Sequence, residues 1–175
     1  MAPGAEDPDN LPTPDDEDSI MSFQISGLPA SRFTALFELG NEELAARGVI
    51  RMVADKQPGF PCRVSLRDAE AGETVLLLNY EHLPVASPYR SSHAIFVRQG
   101  ATEARLAVNE IPQLLQIRLL SVRSFDRSGM MIDSDVVPGQ ELAAAINRML
   151  GQNTSAYLHV HSAKPGCFAA RVDRA

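Results

Sequence analysis

Residues 117–136 read IRLLSVRSF-DRSG-MMIDSDV, and this stretch is the most informative of the sequence. Aliphatic and β-branched residues dominate the segments Ile117–Phe125 and Met130–Val136. Between them, Asp126–Gly129 is a short polar segment that ends in glycine. Two apolar runs around such a segment are typical of a β-hairpin, so residues 117–136 are predicted to form one.

The segments that follow predict a helix and a second pair of strands. Pro138–Leu150 carries an apolar stripe at helical spacing, with Pro138 near its start and Gly151 just past its end. Ala156–His161 and Cys167–Asp173 then flank a short loop. Strands joined by short turns, with helices in two places, indicate an α+β fold: an antiparallel or mixed β-sheet with helices packed against it.

Charge divides the chain into two parts. Residues 1–22 hold seven of its 22 acidic residues and no basic residue, so the remainder has 15 acids against 16 bases. A Pro-rich acidic segment cannot bury enough apolar surface to offset the entropy of ordering. We therefore expect a disordered acidic tail over residues 1–22 and a single α+β domain over residues 23–175.

The composition also limits the classes of binding partner that we expect. The nearly neutral body has no cluster of basic and aromatic residues, so no nucleic-acid partner is expected. No run of ~20 apolar residues is present, so no membrane partner is expected either. Two cysteines and no visible signal peptide favour the cytoplasm.

The last pair of strands collects possible metal ligands. Because side chains alternate along a strand, Leu158 and Val160 are predicted to share one face with Phe168, Ala170 and Val172. The other face would then collect His159 and His161, with His161 directly opposite Cys167. With Cys62 as a fourth donor, or His93 or Asp133 in its place, these residues are candidate zinc ligands. The spacing matches no standard zinc pattern, so zinc is a candidate cofactor but not the favoured interpretation.

Cys62 is also a candidate nucleophile. It follows a Pro-rich turn and neighbours Arg63 and Arg67, whose charges would favour the thiolate. A nucleophilic cysteine needs a base, and His93, His159 and His161 are the candidates for this role. The alternative is a structural cysteine at the start of a strand.

A third set of residues is typical of a binding cleft. Arg63, Arg67, Tyr89 and Arg90 can hydrogen-bond an anionic group, since an arginine fork matches a carboxylate or a phosphate. The partner would be a small anionic ligand or a protein.

Several short motifs occur in order along the chain: Pro61-Cys-Arg63, Leu66-Arg-Asp-Ala69, Gly72-Glu73, Ser87-Pro-Tyr89, Ile95-Phe-Val97, Gly129-Met130 and Gly166-Cys-Phe168. Together they resemble a bacterial family known as domain of unknown function 1203. The resemblance extends from about Phe23 to Arg174. It implies no reaction, but it marks the Cys62 and Cys167 segments as parts of the family pattern.

Two functions remain open at the level of sequence. The favoured one is a small-ligand or protein binding domain with a polar cleft of Arg, Tyr and His residues. The alternative is a small enzyme that uses Cys62 as a nucleophile or, with His159, His161 and Cys167, as a metal ligand. The sequence does not decide whether the protein is an enzyme.

Overall fold

A computed structural model describes residues 21–175. The predicted acidic tail, apart from Met21 and Ser22, lies outside the described residues. The strands, in chain order, are β1 (Phe23–Ser26), β2 (Ile50–Val53), β3 (Pro61–Cys62), β4 (Arg67–Asp68), β5 (Thr74–Leu83), β6 (Ser91–Arg98), β7 (Leu119–Phe125), β8 (Met131–Pro138), β9 (Tyr157–Ser162) and β10 (Phe168–Arg174). The α-helices are α1 (Thr34–Phe37), α2 (Asn41–Ala46), α3 (Gln113–Gln116) and α4 (Leu142–Leu150).

The first sheet is antiparallel, with the strand order β1-β10-β9-β7-β8. It contains the predicted hairpin, which is confirmed as β7 and β8. The Asp126 carboxylate closes the turn by accepting hydrogen bonds from the backbone N–H groups of Ser128 (2.8 Å) and Met130 (2.9 Å). Gly129 has a φ of 79°, a left-handed conformation that glycine adopts without steric cost.

Helix α4 covers one face of the first sheet. The helix predicted over residues 138–150 is present, but its α-helical part begins at Leu142, after the 3-10 turn Gly139–Glu141, and Pro138 ends β8. Its buried stripe packs against the aliphatic side chains that β7, β9 and β10 direct toward it. The stripe consists of Leu142, Ala145, Ile146, Met149 and Leu150.

The second sheet is mixed, with the strand order β2-β5-β6-β3-β4. Its strands pair antiparallel except β3, which lies parallel to β6 through Cys62 and Phe96. Leu44 of α2 and Phe33, just before α1, pack in the core beside this sheet. The predicted α+β class is confirmed, and the chain divides its strands between two sheets.

Backbone and side-chain contacts join the two sheets. The Arg63 guanidinium, just after β3, donates from Nε to the carbonyl of Phe168 on β10 at 2.7 Å. The Phe168 ring packs in the same apolar cluster as Leu78 of β5 and Ile95 of β6. At the end of β1, the chain crosses to the second sheet, where the Leu28 N–H donates to the Arg63 carbonyl at 2.7 Å. Strands β9 and β10 therefore face β5 and β6.

Within residues 21–175, no helix is both long enough and apolar enough to cross a membrane.

The crossing at Gly27 leaves no room for a side chain. A Cβ atom there would lie 2.2 Å from the Val64 carbonyl oxygen and 3.2 Å from that of Arg63. Because backbone atoms cannot move aside cheaply, we expect Gly27→Ala to lower the free energy of unfolding by roughly 1–3 kcal/mol. Urea denaturation measures this loss. The neighbouring, exposed Ser26 provides the control, and an equal effect of Ser26→Ala would contradict the close approach.

Candidate functional site

All four histidines of the chain meet in one cluster between the two sheets. His82 lies on β5, His93 on β6, and His159 and His161 on β9. The His82 ring centroid is 4.6 Å from that of His93, 5.2 Å from His159 and 5.0 Å from His161. We call these four side chains the histidine cluster.

The two β9 histidines point into the cluster because of strand alternation. Leu158 and Val160 face helix α4, so His159 and His161 face the second sheet. Their exposed fractions are 1% and 0%. The rings of Phe125 and Tyr157 flank His159, each with its centroid 5.3 Å away.

The predicted pairing of His161 with Cys167 is wrong. His161 pairs with Phe168 and Val160 pairs with Ala170, so Ala169 is an additional residue in β10. Such a bulge reverses the alternation of side chains on either side of it. Phe168 therefore turns away from Leu158 and Val160 and toward the histidine cluster, where its ring stacks on His82 with a centroid distance of 4.8 Å.

His82 was not among the residues predicted from the sequence. His82 lies near the end of β5, where the pairing with β6 shifts register between Glu81 and Leu83. The alternation of side chains along β5 could have indicated it, because His82 lies on the same face of the strand as the buried residues Leu76 and Leu78. The His82 ring lies nearly parallel between His93 (9°) and Phe168 (8°).

Three of these histidines lie close enough together to hold a metal ion. His82, His159 and His161 each offer one ring nitrogen, and the three atoms lie within 4.8 Å of one another. The Nδ1 atoms of His82 and His159 are 3.2 Å apart. Zn–N bonds of about 2.0–2.1 Å in a tetrahedron place ligand nitrogens roughly 3.3–3.4 Å apart. The His82–His159 separation is close to that value.

Several nitrogens of the cluster are buried without a hydrogen-bond partner among the described residues. They are Nε2 of His82, Nε2 of His161 and Nδ1 of His93. In His161, Nδ1 lies 3.0 Å from the Gly166 carbonyl and is assigned as the donor to it. This assignment leaves the lone pair on Nε2, the usual arrangement of a metal-binding histidine.

Burial favours the neutral form of these histidines. Burial is the main cause that lowers the pKa of His82 to about 4, that of His159 to about 3 and that of His161 to about 2. The positive charge of Arg123 on β7 lowers the pKa of all three further. The pKa of His93 is also lowered, first by burial and then by Arg123.

The two cysteines do not join the group of closely spaced ligand atoms within residues 21–175. Cys62 is fully buried in an apolar cluster, and its Sγ accepts a hydrogen bond from the Arg98 N–H at 3.3 Å. No hydrogen bond in the described part of the chain joins the Cys62 thiol to His93, His159 or His161, its candidate bases. Cys167 is half-buried, with its Sγ 3.8 Å from the Pro165 carbonyl.

The residues predicted to form an anionic cleft lie in different surroundings. Arg63 is buried and bonded to the carbonyls of Pro61 and Phe168. Arg67 lines a cavity of about 660 Å³ that includes none of the four histidines. Tyr89 and Arg90 lie in the exposed loop between β5 and β6, and Arg90 donates to Glu81 at 2.5 Å. The structure does not bring these four side chains together in that cavity.

The lowered pKa values make the stability of the metal-free protein depend on pH. Unfolded histidine has a pKa of about 6.5, so the unfolded chain binds more protons than the folded one below that pH. The contribution of these neutral histidines to stability is therefore fully present above pH 6.5. It is lost as the pH falls toward their pKa values in the folded protein, about 4 to 2. We expect each of the three histidines to remove about 2 kcal/mol from the free energy of unfolding between pH 7 and pH 5.

Urea denaturation of chelator-treated protein at both pH values tests this dependence. His159→Gln removes one of the three titrating groups, so its loss of stability between the two pH values is expected to be about 2 kcal/mol smaller. Identical pH dependence in the two proteins would contradict the burial of neutral imidazoles.

The comparisons with known proteins give a family and no activity. No curated protein and no solved structure matches the chain. One family model, described as "Protein of unknown function (DUF1203)", matches residues 59–174, a segment that contains all four histidines. This match confirms the resemblance noted in the sequence, although the matched segment begins at residue 59 and not near Phe23. The chain therefore belongs to the DUF1203 family.

Proposed function

We propose that this protein binds one divalent transition-metal ion, zinc in the first instance, through His82, His159 and His161. The observation that carries the proposal is the convergence of three buried imidazoles from both sheets, with one nitrogen of each within 4.8 Å of the others. Neutral imidazole is a common ligand of zinc and of copper, nickel and iron.

The protonation state of the cluster supports metal binding. A metal competes with protons for the imidazole lone pair, and the lowered pKa values leave these lone pairs free at neutral pH. The Gly166 carbonyl supports it as well, because it holds His161 in the tautomer whose Nε2 can bind a metal.

An aromatic cluster without a metal is the competing explanation. The imidazoles do pack on Phe125, Tyr157 and Phe168. Packing alone leaves the buried nitrogens of His82 and His161 unpaired, at a cost of about 1–3 kcal/mol each. Phenylalanine at these positions would pack without that cost. A bound cation uses one nitrogen of each ring, and in His161 that nitrogen is the unpaired Nε2.

Three histidine ligands leave a fourth position for water or a substrate, the arrangement of catalytic rather than structural zinc sites. His93 borders the three ligands, with its ring 4.6 Å from His82 and 5.2 Å from His161. It is half-buried, whereas the three ligands are buried. We assign His93 to the border of this fourth position, where its ring can hydrogen-bond a bound water.

The polar cleft predicted from the sequence has less support than this site. Its Arg63 is occupied by backbone carbonyls, and the Arg90 guanidinium pairs with Glu81. A role for Cys62 as nucleophile or ligand also has little support, since its Sγ is buried and accepts from the Arg98 N–H.

Metal content tests the proposal directly. We expect protein purified without chelators to contain close to one zinc ion, or one competing divalent metal ion, per chain. Inductively coupled plasma mass spectrometry measures this content. We also expect chelator-treated protein to bind zinc in isothermal titration calorimetry. Wild-type protein that binds zinc no better than the double variant His159→Gln/His161→Gln would refute the site. Near-ultraviolet circular dichroism establishes that the variant is folded.

Single substitutions separate ligands from neighbours. His82→Gln, His159→Gln and His161→Gln are each expected to weaken zinc binding by more than the roughly 10–100-fold that is typical of a residue outside the ligand set. His93→Gln is expected to stay within that smaller range. If His93→Gln weakens binding as much as His159→Gln, then His93 is a fourth ligand and the assignment of an open position is wrong.

A further inference from the structure

Arg123 is directed at the histidine cluster by its place in the first sheet. It lies on the central strand β7 and pairs directly with His159 on β9. Paired residues of antiparallel strands project to the same face, so Arg123 shares the face of His159 and His161.

Arg123 has no acidic partner within residues 21–175. Its one hydrogen bond there is a long contact of 3.4 Å from Nε to the Ser121 hydroxyl. Arg171, on the same side of the sheet, differs because it donates to both carboxylate oxygens of Asp173. Arg123 is half-buried, and burial lowers its pKa. A guanidinium in this position offers several unused donors beside the proposed metal.

A metal ion in the cluster would leave an excess of positive charge there. The group of close ligand atoms in the described residues is made of neutral imidazoles and contains no carboxylate. A divalent ion would therefore add two positive charges beside that of Arg123. In a partly desolvated site such charges repel each other strongly. A bound anion that touches both the metal and Arg123 removes the repulsion.

We infer that the fourth metal position binds the oxyanion of a small molecule, with one oxygen on the metal and a second accepting from Arg123. The inference rests on the proposed metal site. Carboxylate and phosphate share this chemistry, because each presents two oxygens to a guanidinium fork. His93, the other half-buried group, lies beside the same position.

The cobalt(II) form of the protein allows metal and anion binding to be measured in one sample. Chelator-treated protein is titrated with cobalt chloride, whose visible absorption reports the ligands of the metal. The loaded protein is then titrated with acetate and, separately, with inorganic phosphate, at constant ionic strength with a weakly coordinating salt. Arg123→Gln is compared with Arg127→Gln, which removes the same charge from the turn after β7.

We expect acetate, phosphate or both to change the cobalt spectrum of the wild-type protein with one-to-one saturation. Arg123→Gln is expected to lower the affinity for that anion by roughly tenfold or more, because a charge-assisted hydrogen bond is lost. Its cobalt affinity is expected to be unchanged or higher, because a repelling charge is removed. Arg127→Gln should match the wild type in both titrations. A response to one anion alone identifies which oxyanion the site accepts.

Two results would overturn the inference while the metal site stands. One is a cobalt spectrum that neither anion changes, and the other is equal anion affinity in Arg123→Gln and Arg127→Gln. A protein that binds no cobalt at the histidines would instead overturn the proposed function, and the anion site with it.

Discussion

Four imidazole rings are packed between two β-sheets, and this packing links the fold to the proposed chemistry. Helix α4 takes the aliphatic face of the first sheet, so the histidine face of β9 must be covered by the second sheet. Burial keeps the rings neutral and leaves nitrogens of His82 and His161 unpaired. The proposed metal would bind one nitrogen of each ring, including the unpaired Nε2 of His161, and so join the two sheets.

Local sequence patterns predicted the first sheet better than the second. The hairpin β7–β8 follows from two apolar runs around a turn in which Gly129 adopts a positive φ. Helix α4 follows from its apolar stripe and the flanking Pro138 and Gly151. In the second sheet, β3 and β4 have two residues each, too few to show any alternation. The parallel pairing of Cys62 with Phe96 is also non-local, so no short-range pattern indicates it.

The site was also predictable only in part, because local sequence patterns do not show which distant segments pack together. The period of two in β9 places His159 and His161 on one face. The bulge at Ala169 is invisible in the sequence, because small alanines are compatible with either face, and it moved Phe168 into the cluster in place of Cys167. His82 lies 77 residues from His159, and only the packing of the sheets brings them together. Residue chemistry favoured the cysteines as ligands, whereas geometry favours a third histidine.

The position of the metal is the most direct test of this account. Crystals of the full chain grown with one equivalent of zinc would be measured on both sides of the zinc absorption edge. The account predicts one strong anomalous peak per chain, about 2.0–2.1 Å from a ring nitrogen of each of His82, His159 and His161. No peak between the sheets, or a peak held by Cys62 or Cys167 instead, would contradict it.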